Sequence, residues 1–181
     1  MTGLIRKHMG VIFLLLAAVT LFTLPAYVSP LSVTPCKGSW NGTLGPGTGT
    51  IFYGGQTGQI TTTSIVNGTF DGDTTHGNLS GTVIINYREP GIGYGQVSSA
   101  TTGSYVMSVA ANGTVTGSAT VPFMGQLGGQ MRITFLGKES QSGELTGTWT
   151  GMLTVTKIIF QSTSYDASIT VPGSGQFTGT A

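Results

Sequence analysis

Apolar and polar residues alternate with a period of two along most of the chain. In residues 114–121 one face carries Val, Gly, Ala and Val, while the other face carries only Thr and Ser. Residues 78–87 and 144–155 alternate in the same way. This period is typical of β-strands that bury one face. No stretch beyond the N-terminus has helical periodicity, so the pattern predicts an all-β protein.

A short motif recurs along the strands: glycine, any residue, an apolar residue, a small polar residue, glycine and a second small polar residue. Apart from one interval of nine residues, the copies are 30 to 36 residues apart. That spacing suits one two-stranded unit with its connections. The copies begin at Gly38, Gly68, Gly77, Gly113, Gly143 and Gly175.

The second glycine of the motif falls on the apolar face, next to large residues such as Trp149. Glycine weakens a strand, so a glycine that faces the core needs a reason. It admits an aromatic ring over bare backbone, or it lets a sheet bend sharply. We therefore predict an antiparallel meander of about 10–12 short strands over residues 38–181. We expect the curved sheet to close as a β-barrel, with a β-sandwich as the alternative.

Turn residues divide the predicted strands. Asn67-Gly68 and Asn112-Gly113 join alternating segments, and Asn-Gly is a strong hairpin signal. Turns are also predicted at Pro46-Gly47, Glu89-Pro90-Gly91 and Pro172-Gly173.

The N-terminus has the pattern of an export signal. Arg6 and Lys7 precede an uncharged apolar run over residues 11–24, which ends at Pro25. Fourteen such residues suit a secretory signal and are short for a membrane span of about 20 residues. We predict that residues 1–26 are a signal peptide or a membrane anchor.

The remainder of the chain is therefore expected outside the cytoplasm, secreted or at the cell surface. Residues 27–37 form a linker in this interpretation. The chain would contact a membrane only through residues 9–28, and only if the signal is not cleaved.

Charge is scarce. Only 7% of residues are charged, and beyond residue 35 there are five basic and six acidic side chains. This balance provides no basic patch for nucleic acid. The polar face of the strands is built from Thr and Ser instead.

Four of the five asparagines begin an Asn-x-Ser/Thr sequence. Such sequences are acceptors for N-glycosylation on exported chains. The predicted glycosylation sites are Asn41, Asn67, Asn78 and Asn112.

Few side chains are suited to catalysis. His76 is the only histidine beyond the export segment, and with Asp71 and Asp73 it is a weak candidate for a divalent-cation site. The alternative is a polar turn between two strands. Glu139 and Glu144 are two carboxylates close in sequence, as a glycosidase would need for its catalytic pair. The alternative is that they are solvated side chains flanking a turn. We predict no catalytic residue and no cofactor.

Cys36 is the only cysteine, so no disulfide can form within the chain. Three fates remain open for its thiol: attachment of a lipid, pairing with another chain, or no partner.

Two resemblances bear on function. Gly38-Ser39-Trp40 resembles the Gly-x-Trp opening of lipocalins and the first strand of avidin-type barrels, which implies a barrel that binds a small ligand. The composition is similar to that of cell-surface filament and envelope subunits of some prokaryotes.

We therefore predict a non-enzymatic exported surface protein, an envelope, adhesion or filament subunit that self-assembles or contacts other envelope proteins. A ligand-binding barrel is the alternative, and an outer-membrane β-barrel is the second alternative.

Overall fold

The computed structural model describes residues 33–53, 56–89 and 93–181. The predicted export segment, residues 1–26, and residues 27–32 of the predicted linker lie outside these ranges. The first strand begins at Pro35, so the last residues assigned to the linker belong to the β domain.

Eight strands account for nearly all of the described chain, and no helix occurs within it. The described residues accordingly contain no apolar helix long enough to cross a membrane. The strands are β1 (Pro35–Tyr53), β2 (Gln56–Asp73), β3 (His76–Glu89), β4 (Gly93–Val109), β5 (Thr114–Gly125), β6 (Leu127–Glu139), β7 (Glu144–Phe160) and β8 (Thr163–Thr180).

Each strand pairs antiparallel with the next, and β8 pairs with β1. The result is one ring-like sheet in sequence order rather than the two sheets of a sandwich. The predicted all-β antiparallel meander is confirmed. The predicted count of 10–12 short strands is wrong, because the eight strands are 12–19 residues long.

The miscount has a physical cause, since three predicted turns lie inside strands. Asn67 and Gly68 are paired on both sides within β2, so this Asn-Gly does not turn. Pro46 lies in a β-bulge of β1, where the register shifts. Pro172 lies in β8 opposite that same shift. A bulge interrupts the ladder locally, so a missing proline N–H costs little there and the strand continues.

One turn prediction is confirmed. Asn112-Gly113 lies in the connection from β4 to β5, where Gly113 adopts a positive φ of 77°. Asn112 Oδ1 accepts a hydrogen bond of 3.0 Å from the Thr114 amide, which fixes this turn. The turn predicted at Glu89-Pro90-Gly91 begins at the last residue of β3, and Pro90 and Gly91 lie outside the described residues.

Alternation along each strand places apolar side chains inside the ring and Thr and Ser outside. Many of the inward glycines lie beneath aromatic rings. A methyl group built on Gly147 would lie 2.5 Å from the Phe177 ring. The predicted role of these glycines, admitting rings over bare backbone, agrees with this packing.

Candidate functional site

Six aromatic side chains fill the half of the ring in which β1 begins; we call them the aromatic cluster. Four of the rings form a closed circuit of edge-to-face contacts, with neighbouring centroids 5.8 to 6.4 Å apart; they belong to Phe70, Tyr105, Phe135 and Phe177. The two tryptophans meet edge to face at 6.0 Å. Such geometry stabilises a core beyond the area it buries. The cluster comprises Trp40, Phe70, Tyr105, Phe135, Trp149 and Phe177.

A cavity of about 30 Å³ lies within the aromatic cluster. Its wall is entirely apolar and includes Leu79, Met107 and Ile133 beside the rings. Pockets for small molecules are roughly ten times larger or more. The cavity therefore has room for a group the size of one water molecule, and an apolar cavity of this kind stays dry.

The opposite half of the ring buries hydroxyl groups. Thr62 and Ser64 on β2 and Ser99 and Thr101 on β4 are each at most 2% exposed. Ser99 Oγ donates to the Met124 carbonyl at 2.5 Å. The hydroxyls of the other three have no hydrogen-bond partner among the described residues. Their strands alternate like the rest of the chain, and Thr and Ser read as outward residues, so sequence reasoning missed them.

Cys36 is buried and belongs to a short hydrogen-bonded chain. Its Sγ lies 3.1 Å from the Tyr105 hydroxyl, which donates to the Asp73 carbonyl at 3.0 Å. Because the tyrosine proton serves that carbonyl, the thiol must be the donor to Tyr105. Burial raises the pKa of the Cys36 thiol and also that of Tyr105. Cys36 is a free cysteine, and a buried, protonated thiol is a poor nucleophile.

Asp73 organises the turn between β2 and β3. Its Oδ1 accepts hydrogen bonds from the Thr75 amide at 2.7 Å, the Thr75 hydroxyl at 2.5 Å and the His76 amide at 2.9 Å. The Thr75 hydroxyl and then the His76 amide lower the pKa of Asp73 to about 2. His76 Nδ1 lies 3.3 Å from the same oxygen.

The structure thus brings together two of the three predicted metal-ligand candidates, Asp73 and His76. Asp71 lies on the exposed outer face of β2, in register with Lys37 and Asn78. No cluster of three or more His, Cys, Asp or Glu side chains suited to a metal ion occurs within the described ranges. Asp73 instead accepts hydrogen bonds from the Thr75 and His76 amides of its own turn.

Glu139 ends β6 and Glu144 begins β7, on either side of a hairpin turn. Ser140 Oγ accepts a hydrogen bond of 3.0 Å from the Glu144 amide, so the turn is held from within. The two glutamates therefore flank this turn, with Glu139 half-buried and Glu144 exposed.

All four predicted glycosylation asparagines have exposed side chains. Asn41 and Asn67 are direct cross-strand partners on the outer face of β1 and β2. Asn78 lies on β3, and Asn112 lies in the turn from β4 to β5. Only the position of Asn67 differs from expectation, because it was predicted in a turn.

A groove on the outer face crosses β5, β6 and β7, with a volume of about 610 Å³. Arg132 lies in it among Thr and Ser hydroxyls, with Met152 at one side. With its amide turned so that oxygen faces Arg132, Gln130 accepts hydrogen bonds of 3.1 and 3.2 Å from the guanidinium. The alternation predicts an outward Arg132, but no motif in the sequence indicates a groove.

No protein-family model matches the chain, and no curated protein is significantly similar to it.

Proposed function

We propose that this chain is a non-enzymatic exported protein of the cell surface, an envelope, adhesion or filament subunit. The observation that carries this proposal is the distribution of side chains across the sheet. The side chains of the inner face pack against one another in the core. The outer face is rich in Thr and Ser and carries few charges. Such a protein acts through its outer surface and its assembly.

In this proposal the ring-like sheet is a closed barrel whose interior is a core and not a ligand chamber. Barrels of about eight strands have interiors that side chains can fill. The aromatic cluster occupies one half of the interior, and aliphatic side chains such as Val97, Leu153 and Ile169 occupy the other. A cavity of about 30 Å³ gives little support to the ligand-binding alternative.

The exposed face also bears on the second alternative. An outer-membrane barrel turns a continuous apolar band toward lipid. Here exposed apolar side chains such as Ile65, Leu136 and Met152 are scattered among hydroxyls on the outer face. This surface suits water, and we do not propose a lipid-facing role.

Export and surface display can be tested directly. The full chain is expressed in an exporting host, the cells are fractionated, and intact cells are treated with a protease. We expect the protein outside the cytoplasm and accessible on the cell surface. An intact-mass spectrum would then report removal of residues 1–26 and any glycans on Asn41, Asn67, Asn78 and Asn112. A soluble full-length product in the cytoplasm would contradict the proposal.

A further inference from the structure

The first residues of β2 have a strand partner on one side only. Strand β2 pairs with β1 as far as Gln56, but its pairing with β3 ends at Thr61. Within the part of the chain that the structure describes, the backbone of residues 56–60 therefore meets a strand only on its β1 side. We call this segment the β2 edge. From Thr61 to Gly72, β2 pairs with β3 as well, and its pairing with β1 is interrupted only at the bulge beside Thr63.

A second stretch at the same end of the ring differs in one respect. Residues 93–98 of β4 extend beyond the last β5 partner, Gly125, which pairs with Ser99. There the Ser98 amide donates to Gln126 Oε1 at 3.1 Å, so a side chain covers part of that edge. Among the described residues no side chain makes such a bond to the β2 edge.

The β2 edge lacks the features that keep strand edges from pairing with other chains. Natural edges are protected by Lys, by Pro, by bulges or by inward charges. The sequence of the edge, Gln-Thr-Gly-Gln-Ile, contains no charge and no proline, and its register with β1 is regular. Phe52, directly across from Thr57 on β1, is 47% exposed on the outer face beside it.

We propose that the β2 edge pairs antiparallel with the β2 edge of a second copy of this chain, joining two rings through a continuous sheet. A two-fold arrangement centred on Gly58 places Thr57 opposite the partner's Gln59. The hydroxyl and the amide are compatible, and neither copy brings a charge that would repel the other. Such self-complementary contact is what a two-fold interface requires. The inference rests on the proposed role as an assembling surface subunit and names the contact that assembles it.

Introducing like charges at facing positions tests both the segment and the register of the proposed pairing. The double variant Thr57→Lys/Gln59→Lys places lysine opposite lysine across the two-fold axis, and Thr57→Glu/Gln59→Glu places glutamate opposite glutamate. Like charges directly opposite destabilise a strand pair. We expect each variant alone to raise the dimer dissociation constant about tenfold or more. An equimolar mixture of the two should recover dimers, made of one chain of each kind.

Sedimentation velocity of the full chain from the exporting host measures the dimers, and native mass spectrometry identifies the mixed species. Thr148→Lys/Thr150→Lys is the matched control. It adds the same charge to exposed positions of β7, a strand paired on both sides there, and should leave the dissociation constant unchanged.

Dimers that ignore the β2 substitutions, or variants that the mixture does not rescue, would overturn the inference while leaving the surface role intact. A wild-type chain that stays monomeric would overturn it as well. Failure of the surface role would appear instead in the fractionation experiment, so the two failures are distinguishable.

Discussion

The two halves of the ring interior solve the same packing problem differently. In the half where β1 begins, bulky rings alternate with bare glycines, and the strands end evenly at paired turns. In the opposite half, aliphatic side chains pack with buried hydroxyls, and β2 extends beyond its neighbour β3. The repeated glycines therefore specify the packing of one half only. Among the described residues, the less specified half carries three of the four buried side-chain polar atoms that have no hydrogen-bond partner, and it also carries the β2 edge.

The largest expected effect comes from filling a glycine in the aromatic half. Gly147→Val would place side-chain atoms against the Phe177 ring and the Leu136 carbonyl. Overpacking of this kind destabilises, and here we expect a loss of about 3 kcal/mol or more in the free energy of unfolding. Urea unfolding followed by fluorescence measures it.

Thr116→Val is the control, because Thr116 is exposed on the outer face and the change should be nearly neutral. Equal stability of the Gly147 variant and the wild type would mean that the face assignment is wrong.

The buried hydroxyls of the opposite half should give an effect of the reverse sign. Thr62→Val and Thr101→Val remove hydroxyls that have no described partner, at almost constant volume. An unpartnered buried hydroxyl costs free energy, so each variant should stabilise the fold by about 1 kcal/mol.

Ser99→Ala is the matched comparison, since it removes the bond to the Met124 carbonyl and should destabilise by about 1 kcal/mol. Destabilisation by all three changes would mean that the hydroxyls of Thr62 and Thr101 have partners in solution.

The two tryptophans allow a comparison within the aromatic half. Trp149 Nε1 donates to the Asn41 carbonyl at 3.0 Å, whereas Trp40 Nε1 is buried without a described partner. Replacement by Phe removes similar ring volume in both cases. Trp149→Phe should therefore cost about 1 kcal/mol more than Trp40→Phe in thermal or urea unfolding. Equal costs would show that the Asn41 bond adds nothing to stability.

The smallest effect is a dependence on pH at the β2–β3 turn. The pKa of Asp73 is lowered in the fold to about 2, mainly by the Thr75 hydroxyl, from an ordinary value of 3.8. A lowered carboxyl pKa stabilises the fold above the unfolded value, and that contribution is lost as the pH falls from about 4 through 2. Asp73→Asn should flatten the dependence of the melting temperature on pH in that window. An unchanged profile would contradict the role of this carboxylate.

The sequence predicted the strands well where alternation is strict and turns are short. Residues 114–121 and the Asn112-Gly113 turn are examples. It failed where turn residues lie inside long strands. Nothing local distinguishes Asn67-Gly68 in a paired strand from Asn112-Gly113 in a turn, because the difference comes from pairing with strands distant in sequence.

The candidate sites follow the same division. Exposure of the four asparagines could be predicted from alternation and turn position, and the Asp73 turn from its polar residues. The direct pairing of Asn41 with Asn67 could not, since it depends on the register between β1 and β2. The contact between Cys36 and Tyr105 joins residues 69 positions apart and has no local signal.

Two features of the sheet are central: the pairing of β1 with β8 that closes the ring, and the β2 edge, which among the described residues has a strand partner on one side only. Native-state hydrogen exchange of the backbone amides measures both at once, at concentrations where the chain is monomeric. We predict strong protection throughout residues 38–44 of β1 and 173–179 of β8, which pair with each other. In residues 57–60, only the amides that face β1 should be protected. Rapid exchange along the facing sides of β1 and β8, or full protection of the β2 edge in the monomer, would contradict the account.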